Sequence, residues 1–106
     1  MPHGPDRIVE NKPDAADIRA LKKRAHHLDV VVQTGAAGLT DAVTAEIDNA
    51  LTAHELIKIR LVADSRADRK EMITFLCDSL QAVNIQQIGH VCVLYRARPE
   101  DDAGAG

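Results

Sequence analysis

The sequence predicts a mixed α/β domain of order α-β-α-β-α-β-β, with four strands in one mixed sheet covered by helices. Three observations carry that class. Apolar residues switch between helical and alternating periods along residues 14–98. The strand–helix–strand order in the middle implies parallel neighbours joined by a right-handed crossover. Two strand-like runs near the C-terminus flank Gly89-His90, which implies an antiparallel hairpin.

The first helix starts at Asp14 or Asp17 and runs to Leu28, because Ile18, Leu21, Ala25 and Leu28 share one face. Arg19, Lys22, Lys23, Arg24, His26 and His27 spread over its remaining surface, and no acid lies between Ile18 and Leu28. The β-branched run at 30–34 forms the first strand. After Gly38, Thr40 is suited to cap the second helix and Asp41 to its first turn. Leu39, Val43, Ile47, Ala50 and Leu51 form its apolar stripe. Residues 56–62 form the second strand, with Ile57, Ile59 and Leu61 on one face and Lys58 and Arg60 on the other. Asp64-Ser65-Arg66 begins the third helix, which runs to about Gln81 with Ile73, Leu76, Cys77 and Leu80 inward. Strands at 83–88 and 91–96 follow. Glycine at the first central position of their turn suits type II′.

The 106 residues suffice for one domain. All four prolines (Pro2, Pro5, Pro13 and Pro99) fall outside the patterned body. Residues 1–13 and 99–106 therefore read as flexible tails, the second acidic through Glu100, Asp101 and Asp102. The formal net charge is −3, yet residues 17–98 hold eleven Lys/Arg and ten Asp/Glu. A neutral body can still carry a basic face, and binding follows the face. Aromatic side chains are Phe75 and Tyr95 alone. That scarcity argues against a base-stacking platform of the RNA-recognition-sheet or OB type. Cys77 and Cys92 stand in apolar runs without a Cys-x-x-Cys pair or a secretory signal, so both read as reduced core thiols of a cytoplasmic protein. No apolar run reaches the roughly 18–20 residues that cross a bilayer.

The candidate site is Val30-Val31-Val32-Gln33-Thr34-Gly35-Ala36-Ala37-Gly38-Leu39-Thr40 with the basic run just upstream. Glycines let another molecule approach the backbone, and the helix behind them offers unpaired N–H groups and a positive dipole end. Such a corner accepts phosphate. Lys22, Lys23, Arg24, His26 and His27 add charge beside it, and Thr40 stands at the helix start. Lys58 and Arg60 join if their sheet face is open. A plainer reading remains for each: a tight turn for Gly35 and Gly38, and a solvated helix face for the cations. Arg66, Arg69 and Lys70 mix with Asp64, Asp68 and Glu71 and read equally as a surface ion-pair network.

Catalysis finds little support. Ser65 and Ser79 lack a Gly-x-Ser-x-Gly context, and no Gly-Lys-Ser/Thr follows the glycines. Adjacent histidines on a helix point about 100° apart, and no cysteine or acid completes a ligand set with His26 and His27. No metal or cofactor is expected. His54 reads as a helix-end residue and His90 as a turn residue.

An ordered series of segments resembles the CRM domain family, and most closely its free-standing bacterial YhbY-like members. The series includes Ala25-His26-His27-Leu28, Val31-Val32-Gln33, Gly35-x-x-Gly38-Leu39-Thr40 and Ala45-Glu46-Ile47-Asp48. It continues through Glu55-Leu56-Ile57-Lys58, Asp68-Arg69-Lys70-Glu71, Ile88-Gly89-His90 and Val93-Leu94-Tyr95-Arg96. The resemblance implies a fold similar to the C-terminal domain of translation initiation factor three. It implies RNA binding through the glycine loop and its basic surroundings, and a role in large-subunit ribosome assembly. The implied partner is large-subunit rRNA or its precursor particle, bound by a monomer, with ribosomal proteins as further partners. Two departures bear on affinity. Ala36-Ala37 stands where such loops carry a basic or polar pair, and Asp29-Val30 where Lys-Pro is usual. Arg24, in place of an apolar residue, returns some charge. Weaker or more shape-dependent binding is expected. The alternative is a protein-interaction adaptor on the same fold, using the acidic tail.

Overall fold

The computed structural model describes residues 13–97. The tails expected at 1–13 and 99–106 lie outside the described residues, Pro13 excepted. The elements are α1 (Ala15–Ala25), β1 (Val30–Gln33), α2 (Asp41–His54), β2 (Leu56–Arg60), α3 (Arg66–Leu80), β3 (Val83–Ile88) and β4 (Val91–Tyr95).

Local chemistry sets the helix ends. Asp14 caps α1 in a reciprocal box with Asp17: each carboxylate accepts from the other residue's backbone N–H. Thr40 Oγ1 accepts from Val43 N–H at the start of α2, and Ser65 Oγ from Asp68 N–H at the start of α3. α1 stops at Ala25, three residues before the expected Leu28. His27 N–H and Leu28 N–H donate to the carbonyls three residues back, so the last turn tightens and reverses the chain toward β1. α2 and α3 end on the positive-φ residues Glu55 and Gln81. Gln81 is in the left-handed region, and Ala82 N–H reaches back to the Cys77 carbonyl.

The sheet order is β1-β2-β4-β3. β1 and β2 are parallel; β2–β4 and β4–β3 are antiparallel. The mixed sheet and closing hairpin are those the sequence predicts. Gly89 has φ +59° and His90 is not among the positive-φ residues, the signs a type II′ turn requires. β1 and β2 stop one and two residues short of their expected ends, although Thr34 N–H still donates to the Arg60 carbonyl and Leu61 N–H to the His90 carbonyl.

One face of the sheet carries the main core and the other a smaller core that covers it in part. Val32, Ile57, Ile59, Leu61, Cys92 and Leu94 meet Ile47 and Leu51 of α2 and Ile73 and Leu76 of α3 in the main core. Leu56, Ile85 and Val93 meet Leu21 and Ala25 of α1 in a smaller core on the other face. Arg96 clamps the far end. Its guanidinium donates to Asp48 Oδ1 at 2.7 Å, the Leu80 carbonyl at 2.9 Å and Thr52 Oγ1 at 2.8 Å.

Candidate nucleic-acid interface

α1 is too short to cover its face of the sheet. Its residues Leu21 and Ala25 pack over Leu56, Ile85 and Val93, and the chain then turns away. The half of the sheet nearest the C-terminal ends of β1 and β2 stays bare. Lys58 is half-buried there and Arg60 exposed, so the face left open in sequence is uncovered at Arg60. Gln33 of β1 pairs with Arg60, and Ile88 of β3 is 65% exposed. A small hollow of about 70 Å³ brings His26 and Ala25 against Lys58, Gln86 and Ile88.

The glycine turn rims this bare half. Gly38 N–H donates to the Gly35 carbonyl at 3.0 Å, closing a four-residue turn over Ala36 and Ala37. Buried Thr34 anchors it. Its N–H donates to the Arg60 carbonyl at 3.0 Å and its Oγ1 accepts from Val62 N–H at 2.9 Å, tying the ends of β1 and β2 together. The β-branched run places Thr34 in the strand without disclosing this role; a hydroxyl at the end of an apolar run is the available signal.

The two glycines differ. Gly38 has φ +76°, which a side chain resists. Gly35 is not among the positive-φ residues, and a Cβ built on it meets nothing within 4 Å. The turn's own geometry demands glycine at 38 alone.

At α2 the first N–H groups lack intrahelical acceptors, as in any helix. Thr40 Oγ1 satisfies Val43, and exposed Asp41 already places a carboxylate in the first turn. This corner is therefore weaker for phosphate than an uncharged N-terminus.

The upstream cations do not form one patch. β1 spans four residues, about 13 Å, between the end of the α1 connection and the glycine turn. Lys22 precedes His26 by four residues and shares its flank of α1, toward the hollow at Lys58. Lys23 points outward and is exposed. Arg24 lies on the other flank, in a cleft with His27, Asp29, Val31 and His54. Lys58 and Arg60 thus connect the α1 end to the turn. None of these cations forms an ion pair among the described residues.

Neither do Arg66, Arg69 and Lys70, so the surface ion-pair network expected as one reading of them is absent among the described residues. Arg69 Nη1 instead donates to His90 Nδ1 at 3.2 Å. Cys92 is buried, its thiol facing Asn84 Oδ1 at 3.5 Å, and burial above all pushes its pKa up to about 12. Cys77 is raised as well, mainly by burial. Both shifts favour the protonated, less nucleophilic form of the thiol. No group of His, Cys, Asp or Glu among the described residues has a metal-binding arrangement, and no helix among them is long and apolar enough to cross a membrane.

The fold and site define a compact α/β domain whose partly covered sheet carries Lys58 and Arg60, with a glycine turn at its rim. The CRS1/YhbY (CRM) domain profile matches residues 14–96, and the chain belongs to that family. It is 45% identical over 80 residues to an RNA-binding protein of Haemophilus influenzae, covering 76% of this chain and 81% of that one. It is 32% identical over 83 residues to the probable RNA-binding protein YqeI of Bacillus subtilis, covering 78% and 86%. The solution structure of a Staphylococcus aureus protein, SAV1595, described as a candidate RNA binder, superposes with a TM-score of 0.71 at 30% identity. That match covers 83% of this chain and 92% of that one.

Proposed function

We propose that this protein binds structured RNA, that its target is large-subunit rRNA or its precursor particle, and that it assists assembly of that subunit. The glycine turn lies against the phosphate backbone. Lys58 and Arg60 supply charge on the bare half-sheet, and Lys22, Lys23 and His26 extend it along α1. Arg24 and His27 reach the same RNA only if it wraps the β1 edge. RNA shape sets specificity, because few side chains here can read base edges. The function needs no catalytic group and no cofactor, and a single copy acting in the cytoplasm suffices.

The observation that carries this reading is Gly35. Glycine costs backbone entropy wherever it is not required. Here neither a positive φ nor a close protein neighbour requires it. A partner backbone lying against the turn gives it a use. The described relatives in Haemophilus influenzae and Bacillus subtilis are named for RNA binding, which favours RNA as that partner.

Reversing Lys22 and Lys23 to Glu tests the charged surface. Both side chains are exposed, so the melting temperature stays near wild type. Affinity for a large-subunit rRNA fragment falls, and the salt slope drops by about 0.7–0.9 for each phosphate the variant no longer neutralises. Unchanged affinity removes α1 from the interface. The adaptor alternative rests on residues 99–106, outside the described residues; a chain lacking them keeps its RNA affinity under the present reading.

A further inference from the structure

A second cationic groove, about 700 Å³ in volume, runs between α3 and the edge strand β3. Helical spacing sorts the charges of α3 about it. Arg66, Arg69 and Lys70 line the groove at i, i+3 and i+4, whereas Asp68 and Glu71 do not. Asp78 is the one acid in its wall, two turns further on. The opposite wall is β3, which presents the amides of Asn84 and Gln87. Both belong to the α3 side of the sheet, since they pair with Leu94 and Cys92.

Two further features describe the occupant. Phe75, the sole phenylalanine, is 51% exposed. It stands in a shallow depression with Ala67, Lys70, Glu71 and Thr74, of which Lys70 and Thr74 also line the groove. An exposed ring beside Lys70 offers a stacking surface, and only an unpaired base can present its face to it. Arg69 Nη1 donates to His90 Nδ1 at the hairpin tip, which fixes the guanidinium in the groove wall. The hairpin tip also joins this groove to the first surface, because Leu61 N–H donates to the His90 carbonyl at 2.7 Å just beyond Arg60.

We propose that the α3–β3 groove is a second RNA-binding surface, taking an unpaired strand that flanks the structured element. Phosphates lie on Arg66, Arg69 and Lys70, and one base stacks on Phe75. The inference rests on the RNA-binding reading above, and it assigns the groove a separate job. The glycine turn and half-sheet hold a folded element; the groove reads whether a single-stranded flank follows it.

The test uses the full chain and two RNAs: a blunt stem-loop of large-subunit rRNA, and the same stem-loop with an unpaired tail of about ten uridines carrying one 2-aminopurine. Wild type binds the tailed RNA about tenfold more tightly than the blunt one, and the 2-aminopurine is quenched. Arg66→Glu/Lys70→Glu loses that gain and binds the blunt RNA as wild type does. Phe75→Ala abolishes quenching, whereas Phe75→Tyr keeps it; circular dichroism confirms that each variant folds. Lys22→Glu/Lys23→Glu weakens both RNAs alike. A tail gain that survives Arg66→Glu/Lys70→Glu, or wild type that gains nothing from the tail, overturns the second surface and leaves the first standing. Failure of wild type to bind either RNA overturns both.

Discussion

Gly35 and Gly38 occupy one turn and obey different constraints. At Gly38, φ +76° penalises any side chain, so Gly38→Ala costs about 1 kcal/mol and lowers the melting temperature. Gly35 has open space and no positive φ, so Gly35→Ala leaves the thermal midpoint near wild type. Under the proposed contact it nevertheless weakens RNA binding, because the added methyl stands where the phosphate backbone is proposed to approach. A melt and a binding titration on the two variants separate the turn's internal need from its external one. The sequence, in which both glycines look alike, does not make that distinction; φ at each position depends on how Thr34 fixes the turn. Cys92 gives a pH dependence at the same scale. Its unfolded thiol ionises near 9.0 and its folded thiol near 12. Between those values the unfolded chain releases a proton that the folded chain retains, so the contribution is full below about pH 9 and declines as pH rises toward 12. Cys77 adds in the same direction. Urea melts at about pH 8 and about pH 10 show the loss, and Cys92→Ala has a shallower decline.

The elements are held in register by groups that no local pattern reveals. Arg96, after β4, binds Asp48 and Thr52 of α2 and the last carbonyl of α3. The pair is partly exposed, and its carboxylate more so than its guanidinium, which discounts the ion pair relative to the hydrogen bonds. Arg96→Ala therefore costs about 1–3 kcal/mol in chemical denaturation. Arg96→Lys recovers only part of this, because one ammonium cannot reproduce the fork. What is legible in the sequence follows local physics. Asp14, Thr40 and Ser65 cap their helices as their side chains dictate, and Ile57, Ile59 and Leu61 face one core by alternation. The insertion of β4 between β2 and β3 is not legible, since strand order depends on contacts across the whole chain. For the same reason Arg66, Arg69 and Lys70 read in sequence equally as an ion-pair network and as a binding surface. Their common face toward β3 emerges only when that distant strand is in place. Similarly, Lys22 and His26 share one flank of α1 and Arg24 lies on the other, and which flank meets which part of the sheet is set by contacts distant in sequence.

At the scale of the whole molecule, net charge is a poor guide to the partner. The chain is formally −3, yet half-buried Lys58 and exposed Arg60 stand on the partly covered sheet face without ion pairs among the described residues. A short helix that covers half a sheet creates that surface, and a buried threonine holds a glycine turn at its edge. The near-neutral body and Ala36-Ala37 limit nonspecific attraction, so the proposed binding depends on the fit of a folded RNA against backbone. Ultraviolet crosslinking in the native cells, followed by sequencing of the attached RNA, tests this most directly. Reads concentrated on large-subunit rRNA, above all its unprocessed precursor, are expected. A verified crosslinking assay with no RNA above background would contradict RNA binding itself, and reads dominated by other transcripts would contradict the ribosomal target.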